Sequence, residues 1–393
     1  MKKPRGPSGR AVSSCYTLPI MQKTIVALSS FAYRHIAKPI FFRFDAEDVH
    51  DSITSLGRLI GRMSLFVWLG KKIFLVQDTA LSQEIAGMHF DNPIGLAAGF
   101  DYEAKVTRVL PAVGFGWSSV GTLSNQPYEG NERPRLGRLI KSRSLLVNKG
   151  FKNQGVRATL ARLGTEPFTN PVGISIGVTN TATLATQEAA IADIVAAFTT
   201  AEQSAVPFNY YELNISCPNL HTPISFYAPE SFDALLAAVT AKKLSKPLFI
   251  KMPIDRTDAE ALALLAVVAK HPVAGVIFGN LQKDRTDPSF DPEEIKHATK
   301  GNFSGKPTEK RSNELIALAY KNYHEQLVII GCGGVFTAED AYKKIQLGAS
   351  LVQMVSGLIY EGPQVVAAIN LGLARLLARD GFASISEAVG KGT

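Results

Sequence analysis

Six residues, NISCPN (Asn214–Asn219), put a thiol, two carboxamides and a hydroxyl beside a proline, directly after the strand-like run NYYEL. A lone cysteine in such a place is either a small buried hydrophobe or a reactive thiol. In the second reading Pro218 pins the backbone of Cys217, and the amides of Asn214 and Asn219 hold a polar substrate. A thiol of ordinary pKa, about 8.5, supplies thiolate at mildly alkaline pH, whereas an unassisted serine hydroxyl does not ionise in this range. Further along, the buried-looking strand LFIK ends on Lys251. A bare ammonium is costly there without an anionic partner, such as a phosphate or an electron-rich ring that becomes anionic on reduction. GCGG (331–334) and SG (356–357) add glycines of the kind that let backbone N–H groups approach an anion closely.

These groups fall at regular places in the chain. Candidate strands are 94–98, 117–120, 172–176, 210–213, 248–252, 275–278, 327–330 and 351–353, and helical patterns alternate with them. Eight such units over some 300 residues predict a (β/α)₈ TIM barrel, an α/β fold, with a short N-terminal helical extension. A doubly wound sheet rarely needs eight units. In a barrel the chemistry gathers where strands end, and polar or glycine-rich sequence recurs there: AAGFD (97–101), GT (121–122), SIG (175–177), NISCPN, KMP (251–253), GN (279–280), GCGG and SG. The last two occupy the loops where barrels bind phosphate, which singles out Gly333, Gly334, Ser356 and Gly357. Residues 217–229 and 281–310 are too long for plain connections and read as flaps with Pro and Gly hinges.

Composition narrows the class. Across 393 residues, 46% hydrophobic and 19% charged side chains describe a globular chain with a sizeable core. Cys15, Cys217 and Cys332 form no CxxC pair and no even set, so neither a disulfide framework nor structural zinc is expected. His221 has no second ligand at zinc spacing, so no metal is expected. The net charge of +8 is local: residues 1–44 hold eight Lys and Arg and no acid, leaving 34 of each sign beyond them. A neutral body excludes a broad nucleic-acid surface, while the basic arm suits an anionic lipid surface or a solvated tail.

Residues 1–22 read as a basic, disordered tail, 23–80 as a helical module, and 81–393 as the barrel. Asp45 is a candidate N-cap, and Ile25, Leu28, Phe31, Ile36, Ile40 and Phe44 recur at helical spacing. Short, basic, aromatic-rich helices suit a membrane surface as well as they suit a cap packed on the barrel. No run approaches the 18 apolar residues of a spanning helix. The expected location is the cytoplasmic face of the membrane, peripherally bound, or otherwise the cytoplasm.

Taken in order, the motifs resemble those of dihydroorotate dehydrogenases, FMN-dependent enzymes of pyrimidine synthesis, over residues 31–380. YRHIAKPIFFRFDAEDVH (33–50), NPIGLAAGFD (92–101), EGNERPRLGRL (129–139), GNFSGKP (301–307) and GASLVQMVSGLIYEGP (348–363) resemble the quinone-dependent, membrane-associated class 2. The resemblance implies FMN held by Ala97, Ala98, Gly99, Thr122, Ser175, Asn214, Lys251, Gly279, Gly305, Gly334, Val355 and Ser356. It implies substrate contacts from Asn148, Gly150, Phe151, Asn214, Asn219 and Asn280, with Cys217 as the base. His35 and Arg138 match positions lining the quinone tunnel. The implied reaction removes the C5 proton of dihydroorotate while hydride passes from C6 to flavin N5, giving orotate.

The catalytic positions depart from class 2. Cys217 stands where class 2 has serine, and Ser175 where it has asparagine; both are class 1 residues. Tyr102 stands where class 2 has a substrate-binding lysine after GFD, Leu281 replaces a hydroxyl residue beside Asn280, and Val355 replaces a tyrosine. Orotate is an anion, so Lys149 or Lys105 is expected to supply the missing cation. The N-terminal helices favour quinone as acceptor, while the class 1 residues leave fumarate or NAD open. Other readings are a dihydrouridine synthase-like FMN barrel, or a flavin-binding relic without dihydroorotate activity.

Overall fold

In the computed structural model, which describes residues 20–221 and 224–392, eight parallel strands close into a barrel. They are β1 (Ile94–Leu96), β2 (Trp117–Leu123), β3 (Val172–Ile176), β4 (Tyr210–Asn214), β5 (Leu248–Met252), β6 (Gly275–Phe278), β7 (Val328–Cys332) and β8 (Leu351–Met354). Each pairs with its sequence neighbours, and β8 returns to β1 through Val352 and Ile94. The strands are covered by helices outside and packed inside, hence their near-continuous apolar runs. Helices such as Asp258–Val268 and Ala338–Gln346 start at capping boxes, Thr257 with Glu260 and Thr337 with Asp340. The (β/α)₈ expectation is met.

The N-terminal end of the barrel is stoppered. A hairpin, Gln83–Ile85 with Met88–Phe90, crosses it, and Phe90 stands edge-on to Trp117, which in turn meets Tyr210. Gly95 and Gly173 make room for these rings: a Cβ on either would lie within 2.2 Å of the Trp117 or Tyr210 ring. The cavity that opens from the barrel lies at the other end, where strands hand over to loops.

Three short antiparallel strands lie over that end, in the order Asn302–Gly305, Ser144–Val147, Leu136–Leu139. The segment 281–310 is thus not a free flap: its last part is a sheet strand, with Phe303 fully buried against Phe290. The sequence text hid this because four-residue strands leave little periodicity to read.

The N-terminal module consists of α1 (Ile20–Ala32), a π-turn (Tyr33–Ala37), a short helix (Lys38–Phe41), α2 (Ala46–Gly61) and α3 (Ser64–Phe74). Asp45 caps α2 by accepting from Glu47 N at 2.8 Å and Asp48 N at 3.1 Å. Helix α1 begins inside the stretch assigned to the tail; residues 1–19 of that tail, with Cys15, lie outside the described residues. The module buries little of itself. Val26, Glu47 and Thr54 are buried, whereas Leu28, Phe31, Phe44, Leu65, Phe66 and Trp68 are exposed. Among the described residues no helix is long and apolar enough to cross a membrane.

Candidate active site

One cavity of about 520 Å³ runs from the open end of the barrel out between the N-terminal helices. Its inner wall carries Ala98, Gly99, Thr122, Asn214, Cys217, Asn219, Lys251 and Asn280. Its outer limb is apolar, with Phe41, Phe42, Val49, Ile53 and Leu56 facing Val106, Val109 and Leu358. Lys149, Gly150, Phe151 and Tyr102 stand along the same walls.

The carboxamides form a hydrogen-bonded frame. Asn214 Nδ2 donates to Thr122 Oγ1 at 2.8 Å, and its Oδ1 accepts from Ser216 Oγ at 2.9 Å. Asn280 donates to the same Ser216 hydroxyl. Asn219 Nδ2 donates to Val147 O at 3.0 Å, and its Oδ1 accepts from Asn302 Nδ2 at 2.6 Å. Asn131 donates to Asn148 Oδ1 and to Asn219 O, both at 3.0 Å. Asn131 and Asn302 lie in EGNERPRLGRL and GNFSGKP, and Ser216 in NISCPN, where residue type alone assigns none of them a partner.

Cys217 lies three residues beyond β4 and lines the cavity. Burial pushes its thiol up to about 12, against small opposing effects from the Asn219 backbone N–H and Lys283. The resting group is therefore a thiol well above the ordinary cysteine range, which moves the expected mildly alkaline activation higher.

Tyr102 and Lys149 occupy the cationic position together. Lys149 Nζ donates to Tyr102 Oη at 2.8 Å and lies 4.2 Å from the ring centroid. Burial pulls Lys149 down to about 7, with Glu47 opposing that shift. Lys105 pairs with Glu103 at 2.6 Å and is not on the cavity wall. Of the two candidate cations, only Lys149 faces the site. Tyr102 also stacks on His50 and donates to Asp51 Oδ1 at 3.3 Å, so helix α2 braces the substrate end.

Glu47, one of two acids in the first turn of α2, is the buried anchor of that helix. Arg135 Nε donates to both its oxygens at 2.8 and 2.9 Å, Lys152 lies at 3.1 Å, Arg133 at 3.4 Å and Lys149 at 3.9 Å. Burial alone would raise its carboxyl, but Arg135, Lys149 and Lys152 outweigh that and hold it below the ordinary range.

At the floor, Lys251 is buried with Gln353 Oε1 at 3.2 Å and Glu212 Oε1 at 3.9 Å. Gly99 has φ +108, and a Cβ there would meet no protein atom within 4 Å although the residue lines the cavity. The wall thus leaves open space beside Gly99 in the same cavity that Lys251 lines. To one side three loops converge: Ser304 Oγ lies 2.8 Å from Ser356 Oγ, and a Cβ on Gly305 would lie 3.3 Å from Ser356. Gly333 packs on Thr308 and Gly357 on Val335 O in the same cluster. A phosphorylated flavin fits this arrangement of floor, open wall and polar cluster.

Not every expected residue reaches the cavity. Ala97, Asn148, Ser175, Gly279, Gly305, Gly333, Gly334, Ser356 and Gly357 lie behind its wall; Ser175, for example, supports Thr122 at 3.0 Å. Val355 lines it. Arg138 also lines it, donating to Phe44 O at 2.8 Å with its guanidinium 4.7 Å from the Phe42 ring. His35 does not: the π-turn leaves it exposed, with its ring against Phe31.

Residues 80–377 match the family model described as Dihydroorotate dehydrogenase. The chain belongs to the dihydroorotate dehydrogenase family. A relative from Christiangramia forsetii, named dihydroorotate dehydrogenase (quinone), is 36% identical over 86% of this chain and 97% of its own length. One of the same name from Deinococcus deserti is 35% identical over 91% and 99%. Among solved structures, the ligand-free dihydroorotate dehydrogenase of Eimeria tenella superposes with a TM-score of 0.72 at 27% identity, covering 85% of this chain and 98% of that one. Dihydroorotate dehydrogenases are flavin-dependent oxidoreductases, and the fitted floor and open wall of the cavity agree with that.

Proposed function

We propose that this protein is a quinone-linked dihydroorotate dehydrogenase of pyrimidine biosynthesis that carries FMN and rests on the membrane through its N-terminal helices. The observation that carries the reading is the single cavity, polar where the barrel opens and apolar between the helices. An amide-rich anionic pyrimidine suits the first part and an isoprenoid quinone suits the second. FMN, when bound, would supply the hydride acceptor and the route for the electron pair to the quinone.

The chain supplies the rest. Asn214, Asn219 and Asn280 present carboxamides that match a cyclic imide, and Asn131 with Asn302 and Ser216 fixes their orientation. Lys149 meets the substrate carboxylate, with Asn148, Gly150 and Phe151 shaping that end. Cys217 takes the C5 proton as hydride leaves C6. Lys251, with Ala97, Ala98, Gly99, Thr122, Ser175, Asn214 and Val355, would hold the ring of FMN. Gly279, Gly305, Gly333, Gly334, Ser356 and Gly357 would hold the rest of the cofactor, with its phosphate near the glycines and Ser356. Arg138 guards the quinone limb, and His35, on the outer face, stands with the membrane-facing residues.

The membrane reading rests on where apolar surface is left bare. Among the described residues, every large exposed hydrophobic except Ile140 lies between Met21 and Leu69. Lys23, Arg34, Lys38 and Arg43 share that stretch, as anionic lipid requires. An anaerobic test decides the activity. Dihydroorotate should bleach the bound flavin, and a quinone should restore its colour where fumarate and NAD do not. Absence of bleaching would overturn the assignment, and recovery with fumarate or NAD alone would overturn the choice of acceptor.

A further inference from the structure

Beneath the cofactor wall a second polar layer fills the barrel axis. Glu212 of β4 is fully buried, in register with Ser175 of β3. Its Oε1 accepts from Ser175 Oγ at 3.1 Å; its Oε2 accepts from Ser119 Oγ at 2.8 Å and Gln353 Nε2 at 3.3 Å. Lys251 Nζ lies 3.9 Å from Oε1 and donates to Gln353 Oε1 at 3.2 Å. On the other side Ser175 meets Thr122, and Thr122 accepts from Asn214. One carboxylate thus joins Lys251, Thr122 and Asn214, three groups on the cavity floor.

Nothing in the packing of the barrel demands a carboxylate there. Aromatic side chains fill the neighbouring layer at Trp117, Tyr210 and Phe249, with the Tyr210 hydroxyl 2.9 Å from Ser119 Oγ, and a buried charge costs free energy even when it is well hydrogen-bonded. We propose that Glu212 is a positioning residue that sets how readily the bound flavin is reduced. Its carboxylate offsets the ammonium of Lys251 and, through Ser175 and Gln353, fixes the donors that face the ring. The proposal rests on the cofactor reading above. In a low-dielectric floor these charges would act on a bound ring with little screening, so the oxidised and reduced forms would feel them differently.

The test is the midpoint potential of FMN in the purified full chain, measured anaerobically against a reference dye. E212Q should shift the two-electron equilibrium at least tenfold toward reduced flavin, about 30 mV upward. E212D, which keeps the charge, should stay within threefold of the natural protein. Q353E puts a second carboxylate beside Lys251 and should shift the equilibrium tenfold the other way, which keeps the proposal testable should E212Q fail to fold. Equilibria within twofold of the natural protein in flavin-loaded E212Q or Q353E overturn the role of Glu212 alone. A natural chain that binds no flavin overturns both this role and the cofactor reading.

Discussion

The ammonium of Lys149 lies 2.8 Å from the phenol oxygen of Tyr102 and 4.2 Å from its ring centroid, at the point where the polar and apolar parts of the cavity meet. Tyr102 thus holds at the cavity wall a lysine delivered from a different segment, the loop after strand Ser144–Val147.

Lys149→Met should weaken orotate binding by at least tenfold, read from the perturbation of the flavin spectrum, while Lys105→Met changes it less than twofold. With its pKa near 7, Lys149 is charged below neutrality and loses its proton as pH rises. Orotate affinity of the natural protein should fall from pH 6 to pH 8.5, and that slope should vanish in Lys149→Met. Equal affinities in the lysine variants would remove Lys149 from the substrate site.

Cys217 is a thiol at rest because burial holds its pKa near 12. The rate of flavin reduction by dihydroorotate should therefore climb through pH 7–10 without levelling, where an ordinary thiol would pass its midpoint near pH 8.5 and level above it. Cys217→Ala should slow that step by 10²-fold or more, within the usual range for loss of a general base, and should retain FMN. Stopped-flow bleaching measures both, and a midpoint below pH 9 would contradict a thiol raised so far.

The sequence made the barrel legible because its strands are apolar runs between helical patterns of ordinary length, and because its strand ends carry conspicuous polar or glycine-rich text. Cys217, Lys251 and the asparagines stood out for the same reason. What stayed hidden depends on distant partners. Glu47 reads as one more acid in the first turn of a helix, yet three-dimensional folding sets it among four cations. Glu212 reads as a polar residue inside an apolar strand, and only closure of the barrel brings Ser119, Gln353 and Lys251 to it. His35 was placed by analogy with the tunnel, and the π-turn points it outward instead.

Glu47 ties helix α2 to the barrel through Arg135, with Lys152, Arg133 and Lys149 close by. Glu47→Gln leaves those cations uncompensated and should lower unfolding stability by about 3–5 kcal/mol. The carboxyl is held below its unfolded value, so it contributes stability fully above pH 4.5 and loses it as pH falls through the folded pKa. Denaturant melts between pH 3 and 7 should show a steeper acid limb in the natural protein than in Glu47→Gln. Parallel limbs would mean that the ion cluster adds nothing.

Trp68 and Phe66 lie on α3 with half or more of their surface exposed, and neither lines the cavity. Such surface stays in water only at a cost of about 25 cal/mol per Å², which a lipid interface relieves. The double variant Phe66→Ser, Trp68→Ser should lower partition onto vesicles of anionic lipid at least tenfold. It should leave flavin bleaching by dihydroorotate unchanged, because that reaction is confined to the barrel end of the cavity. Turnover with a long-chain quinone presented in vesicles should fall in parallel with binding, while a short soluble quinone should be reduced at the natural rate. Natural partition by the double variant would mean that the bare face of α3 meets something other than lipid.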